Sequence, residues 1–249
     1  MLPSLEEQQK IGEFFSELDE RIELQKSKIE KMTSLKKAYL SEMFPAEGET
    51  TPKRRFKGFT GEWEAVKLGE IVEFFSGLTY SPQNVINGAG TLVLRSSNVR
   101  DGRIIDNNNV YVKNEVVNSE YIKKGDIIVV VRNGSRDLIG KHAQIKHNMT
   151  NTVIGAFMTG IRASVPNFIN SLLDTHQFIN QVNQNLGATI NQITTGAFKE
   201  MKFIIPTDIQ EQQKIGEFFS ELDEIIELNE EKLKKLQDLK QAYLNELLI

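Results

Sequence analysis

Three short stretches of this sequence carry side chains suited to reading the edges of nucleic-acid bases. They are Arg95-Ser-Ser-Asn-Val-Arg100, Arg132-Asn-Gly-Ser-Arg136 and Asn191-Gln-Ile-Thr-Thr-Gly-Ala-Phe-Lys199. Arginine takes guanine through two parallel hydrogen bonds, Asn and Gln take adenine, and Ser and Thr serve phosphates or base edges. The candidates for DNA contact are therefore Arg95, Ser96, Ser97, Asn98 and Arg100, then Arg132, Asn133, Ser135 and Arg136, then Thr194, Thr195 and Lys199. Lys141 joins them as a phosphate contact. Any one of these stretches also fits a surface turn that uses Asn-Gly and Ser for geometry. Three of them on a basic segment are the signal.

Residues for catalysis or metal binding are not grouped in the same way. His142, His147 and His176 are scattered and the chain has no cysteine, which excludes disulfides and thiolate metal sites and fits a reducing cytoplasm. Gly88-Ala-Gly90 lacks the Lys and Ser/Thr of a phosphate-binding loop, and Gly134-Ser135 reads as a turn rather than a nucleophile elbow. The expectation is a protein with no catalytic residues, metal or cofactor. The acidic N-terminus and an aliphatic run no longer than Ile127 to Val131 argue against secretion and membrane insertion.

The elements that must position the three stretches are readable. Between residues 45 and 205 Lys and Arg outnumber Asp and Glu by 18 to 14, whereas residues 1–44 and 206–249 together carry 12 against 20. A basic middle between acidic ends suits a polyanion in the middle and protein at the ends. Short β-branched runs punctuated by Gly, Asn and Asp predict strands at 66–68, 71–75, 91–94, 104–105, 110–112, 127–131 and 203–205, with short helices at 168–173 and 177–186.

The ends are two copies of one segment. Glu7 to Glu20 returns letter for letter as Glu211 to Glu224, and the likeness runs on to Phe44 and Leu248. Helical spacing of the apolar residues, with no proline before Pro45, predicts a long amphipathic helix in each copy. A heptad seam passes through Leu18, Ile22, Ile29, Met32 and Tyr39 in the first and Leu222, Ile226, Leu233, Leu236, Tyr243 and Leu247 in the second. Polar Gln25 and Asn229 stand at equivalent seam positions, where they serve register better than strength. The two helices are expected to pair antiparallel, as an α+β protein in which a strand-rich α/β domain is flanked by a two-helix coiled coil. The expected division is a first helix over 1–44, a linker over 45–57, a recognition domain over 58–205 and a second helix over 206–249.

This order resembles the specificity subunit of type I restriction-modification enzymes. The resemblance rests on Trp63-Glu-Ala-Val-Lys-Leu-Gly-Glu-Ile71, on Thr194-Thr-Gly-Ala-Phe-Lys-Glu-Met-Lys-Phe-Ile-Ile-Pro206 and on Ile209-Gln-Glu-Gln-Gln-Lys-Ile-Gly216. It implies a non-catalytic subunit whose target recognition domain reads half of a split site in double-stranded DNA. It also implies helices that space and dock methyltransferase subunits, with a restriction subunit among the partners. A full subunit of that kind has a recognition domain before each helix, whereas here Met1-Leu-Pro-Ser-Leu5 aligns with Ile205-Pro-Thr-Asp-Ile209. The expectation is a half-length form, whether a natural product, the product of a rearranged gene or a fragment, that restores the pair by homodimerisation or with a second half-length partner. The alternative is a coiled-coil assembly protein whose globular domain binds another protein.

Overall fold

The computed structural model describes residues 3–186 and 191–247. The chain divides into two compact units, one formed by residues 1–39 and 218–249 and the other by Leu40–Glu217. Helix α1 (Leu5–Met43) opens the chain and α6 (Ile209–Leu247) closes it, each 39 residues and so about 58 Å long at 1.5 Å per residue. Between them run β1 (Glu64–Lys67), α2 (Leu68–Ile71), β2 (Val72–Ser76), β3 (Val85–Ile86), β4 (Thr91–Leu94), β5 (Val99–Arg100), β6 (Arg103–Ile104) and β7 (Val110–Val112). There follow β8 (Ile127–Val130), β9 (His142–Gln144), β10 (Thr152–Ile154), β11 (Met158–Ala163), α3 (Pro166–Leu173), α4 (His176–Asn185), α5 (Thr195–Glu200) and β12 (Lys202–Ile205).

In the helical unit the two copies run antiparallel, and their contacts obey a local twofold symmetry. Phe14 meets Tyr243 edge to face at 5.0 Å, and the repeat-related pair Phe218 and Tyr39 does the same at 5.2 Å. Asp19 pairs with Lys240, as Asp223 pairs with Lys36 at 2.6 Å. On the axis a residue must meet its own copy, and there the buried Gln25 donates from Nε2 to Oδ1 and to the backbone oxygen of Asn229, 2.9 Å each. Leu18, Ile22, Leu222 and Ile226 are buried in the seam, and Ile29, Met32, Tyr39, Leu233, Leu236 and Tyr243 are half-buried. The seam ends earlier than its heptads: Leu247 is exposed, because the residues that an antiparallel partner would bring to it, around Lys10, are themselves solvated. Leu248 lies outside the described residues.

The flanks of the seam differ. Leu24, Leu35, Ile225, Leu228 and Leu239 remain exposed, and their heptad positions put all five on the same flank of their helices. In an antiparallel pair that flank of one helix adjoins the same flank of the other. One face of the helix pair is thus leucine-rich, and it is related to itself by the local twofold.

The strand-rich unit is built on two four-stranded sheets, in the orders β10-β4-β7-β3 and β2-β11-β8-β9, with two-stranded ribbons β1-β12 and β5-β6. All pairings are antiparallel except β10 on β4. β8 is buried at all four positions, as its uninterrupted Ile-Ile-Val-Val run demands. Five strands go beyond the sequence reading: β3, β5, β9, β10 and the long β11. β11 escapes it because Gly160 breaks the pattern, and the glycine is there for packing, since a Cβ would lie 2.0 Å from the Phe75 ring. The predicted strand at 104–105 shifts to Arg103–Ile104, paired across Asp101-Gly102, whose positive φ values of 50° and 73° suit a tight hairpin turn.

This unit also includes residues 45–57 and the first two turns of α6. Glu211, fully buried, accepts two bonds from Arg55, Nε to Oε1 at 2.6 Å and Nη2 to Oε2 at 2.7 Å. The hydrogen bond to Glu211 raises the pKa of the guanidinium. Lys214 lies over the rings of Phe56 and Phe59, and Gly216 lets α6 approach the backbone at Asn167 and Phe168.

Two predictions follow from the repeat. A Cβ on Gly216 would stand 2.5 Å from the Phe168 nitrogen, while one on its copy Gly12 meets nothing within 4 Å. Gly216→Ala should therefore lower the melting temperature, and Gly12→Ala should leave it unchanged or raise it, with a gain of about 0.5–1 kcal/mol in helix propensity. At the axis, Asn229→Ala removes one of the two acceptors of the buried Gln25 amide and should destabilise by about 1–3 kcal/mol in chemical denaturation. Replacing both residues by Leu should recover that loss.

Candidate nucleic-acid interface

The three stretches meet in space. Asn133 Nδ2 donates to Ser96 Oγ at 2.9 Å, which joins the first stretch to the second. Arg132 and Gln192 form a β-bridge, Asn133 N donates to Asn191 O at 3.3 Å, and Asn191 Nδ2 donates to Gly134 O at 3.0 Å, which joins the second to the third. The junction has a rigid floor. Ile193, buried, donates its amide to Val131 O at 2.9 Å at the end of the buried β8 segment. The junction itself is cross-linked through side-chain amides rather than packed apolar groups. That leaves exposed side chains standing on a fixed backbone.

A fourth segment belongs to the junction and carries no base-reading signature in the sequence. The turn between β10 and β11 places Phe157 half exposed, with its carbonyl accepting from Val131 N at 3.0 Å and Arg132 N at 3.2 Å. The Arg132 guanidinium lies 4.9 Å from the Phe157 ring centroid. The parallel pairing of β10 with β4, continued by the Gly155 amide on Leu94 O, brings this turn alongside the β4 end, and the Leu78 amide on Ile154 O ties it to the segment after β2.

Several candidate residues turn out to serve the fold. Asn98 is fully buried: Nδ2 donates to Asn107 O and Asn109 Oδ1, both at 2.9 Å, and Oδ1 accepts from Arg95 N at 3.0 Å. It shapes the 95–109 segment from inside and does not present an amide to a base. Arg95 is partly committed, donating from Nη2 to Asn108 O. Ser97 has its hydroxyl buried without a hydrogen-bond partner among the described residues. Thr194 caps α5 by accepting from Ala197 N at 3.1 Å, so Thr195 and Lys199 belong to a helix and not to a loop. The stem of Lys199 packs against Gly69 of α2, where a Cβ would come within 2.9 Å of it.

Arg136 and Lys141 separate from Arg132. The chain enters a single 3-10 turn at Arg136–Leu138, and Arg136 and Lys141 line a cleft of about 480 Å³ with Asp101, His142, Asp174 and Asn183. There Arg136 Nη2 lies 3.4 Å from Asn183 O, and His142 Nε2 lies 3.3 Å from Asp174 Oδ1. The carboxylates make this cleft mixed in charge and a weaker anion site than the Arg132 junction. Arg100 and Ser135 are exposed, Arg100 directly opposite Arg103 on the β5-β6 ribbon. Asp101-Gly102, a turn-forming pair that the strand reading at 104–105 passes over, is the signal that could have found this hairpin.

Among the described residues, no group of three or more His, Cys, Asp or Glu is placed to hold a metal ion. No described helix is long and apolar enough to cross a membrane.

Asn98→Ala should thus behave as a fold mutation. It leaves buried backbone oxygens and an amide unpaired and should cost about 1–3 kcal/mol, seen as a lower denaturation midpoint. Arg100→Ala, at an exposed position, should leave the midpoint in place.

Comparisons with known proteins agree with this architecture. Residues 60–238 match the family model described as the type I restriction modification DNA specificity domain. The StySPI specificity subunit of Salmonella potsdam and the EcoKI specificity subunit of Escherichia coli (strain K12) are each 26% identical over 163 residues, 62% of this chain and 35% of the relative. Among solved structures, a type I restriction-modification S subunit from M. genitalium superimposes with a TM-score of 0.66 at 18% identity, over 97% of this chain and 60% of that one. The HsdS subunit from Thermoanaerobacter tengcongensis gives 0.58 at 18%, over 98% and 58%. The chain therefore spans about a third of the curated relatives and about three fifths of the solved ones.

Proposed function

From the premise that the chain belongs to the family of the type I restriction modification DNA specificity domain, whose model spans more than half of it, we propose that it is a DNA-reading subunit with no chemistry of its own. The strand-rich unit is the target recognition domain and reads one half-site. The long helices dock methyltransferase subunits, which carry out the modification, in a complex that a restriction subunit can join.

The observation that carries this reading is the convergence of Arg132, Asn133, Ser96 and Gln192 at one hydrogen-bonded junction. Stretches more than thirty residues apart, each chosen for base-reading side chains, share a single surface. The alternative, a coiled-coil protein whose globular domain binds only protein, leaves that grouping of polar side chains without a role. It is also not favoured by the likeness to specificity subunits.

The leucine-rich face of the helix pair supports protein docking. Five large apolar side chains exposed along one face are an uncovered patch, and the local twofold offers two equal partners equivalent contacts. The 249 residues hold one strand-rich unit. Two half-sites in opposite orientation would be read when a second copy, or a second half-length partner, supplies another.

Selection of the protein's preferred sequence from a random duplex pool, followed by titration at several salt concentrations, tests the proposal. Enrichment of a defined sequence is expected, with log affinity falling linearly in log salt at a slope of about −0.9 per phosphate contacted. Lys141→Ala should weaken all sequences alike and make that slope shallower by about one contact. Failure to enrich any sequence, with salt-insensitive binding, would return the protein to the alternative class.

A further inference from the structure

Two arginines in the strand-rich unit lie over phenylalanine rings at the same distance, 4.9 Å, and the comparison between them is informative. Arg162 covers Phe75, a buried ring, and spends its donors: Nε on Asp126 Oδ1 at 2.9 Å, Nη2 on Asp126 Oδ2 at 2.8 Å and Nη1 on Glu120 Oε2 at 2.8 Å. That pair is structural. Arg132 covers Phe157, a ring left 51% exposed, and its guanidinium has no hydrogen bond or ion pair with any described residue. None of the five donors of Arg132 is spent on a described residue, at the centre of the polar junction.

The ring under Arg132 is held by an over-determined turn. Gly155 N donates to Leu94 O and Met158 N to Gly155 O, both at 2.8 Å, and a Cβ on the neighbouring Gly77 would collide with Gly155 O at 2.0 Å. The Phe157 carbonyl is itself bound by the amides of Val131 and Arg132. A half-exposed phenylalanine held this rigidly contributes little burial, so its placement calls for another purpose. Stacking on an aromatic face restricts a guanidinium before any ligand arrives, so less side-chain freedom is lost on binding.

We propose that Arg132 reads a guanine in the major groove and that Phe157 is the positioning residue that presents its fork to guanine O6 and N7. The inference rests on the DNA-reading function proposed above. Guanine is the base chosen because a planar fork with two parallel donors matches its two adjacent acceptors, and no other base offers that pair. Asn133 is not the reader at this point, since its amide is already bonded to Ser96 and Ser135.

The test uses the full chain and the sequence it selects from a random duplex pool. Each guanine of that sequence is replaced in turn by 7-deazaguanine, which removes only the N7 acceptor. One position should weaken wild-type binding by about tenfold or more. Arg132→Ala should bind the natural and 7-deaza duplexes equally at that position while keeping its sensitivity elsewhere. Phe157→Leu keeps apolar bulk but removes the aromatic face, and should lose most of the discrimination at the same position with its melting temperature unchanged. Phe157→Tyr should restore it. A Phe157→Leu variant that discriminates as well as wild type would overturn the positioning role, and an Arg132→Ala variant that still senses the 7-deaza base would overturn the reading role. Both of those results leave sequence selection intact. A protein that selects no sequence at all would instead overturn the DNA-reading function, and the present inference with it.

Discussion

The hydrogen bonds from Gln25 to Asn229 set the register of the two long helices. A hydrophobic seam alone tolerates sliding by a heptad, because one apolar pair replaces another at similar energy. A buried amide does not slide, since any shifted register leaves its donors facing hydrocarbon. With that point fixed, Phe14 reaches Tyr243, Tyr39 reaches Phe218, and the two Asp-Lys pairs close symmetrically about it. The leucine-rich face is an outcome of the same register.

In the strand-rich unit the equivalent constraint is at the start of α6. Glu211 is fully buried and would be costly as a lone charge, so its two bonds to Arg55 are obligatory. Its copy in the repeat, Glu7, is exposed and serves a different purpose. Glu7 accepts from Ser4 at the N-terminus of α1, and the backbone hydrogen bond from Ser4 lowers its pKa. One sequence of fourteen residues thus has two structural uses. Near α6, Lys214 and Gly216 engage Phe56, Phe59 and the Asn167–Phe168 backbone, whereas nothing lies within 4 Å of the Cβ that Gly12 lacks.

The junction of polar loops gains its character from what supports it. β8 is buried at all four positions and ends two residues before Arg132, and the bonds from the Asn133 amide to the Ser96 hydroxyl and from the Asn191 amide to the Gly134 carbonyl fix the loops without consuming the Arg132 guanidinium. The combination suits the proposed DNA-reading role, because a flexible reader loses on binding the freedom that a fixed one has already given up. The mixed-charge cleft with Arg136 and Lys141 lacks it, having carboxylates near its cations.

The sequence by itself determined the helices, the seam and the strand-rich character of the middle, because helical and strand periodicities are local, one-dimensional signals, and the antiparallel pairing followed from a repeat lying on either side of one compact segment. It also picked out three stretches that meet in space, through side-chain chemistry alone. Tertiary structure decided which of their residues are free. Asn98 and Arg132 look equally fit to read a base on paper, yet Asn98 is drawn inside to satisfy polar groups around it while the Arg132 donors are spent on no described residue. Phe157 carried no signal, since an aromatic residue next to a strand usually packs inward and only the turn at Gly155 turns it out. β11 was hidden by Gly160, whose reason for being there is a ring from a strand more than eighty residues earlier. Long-range packing of that kind leaves no mark in a local window, because the constraint lies in the partner and not in the neighbours along the chain.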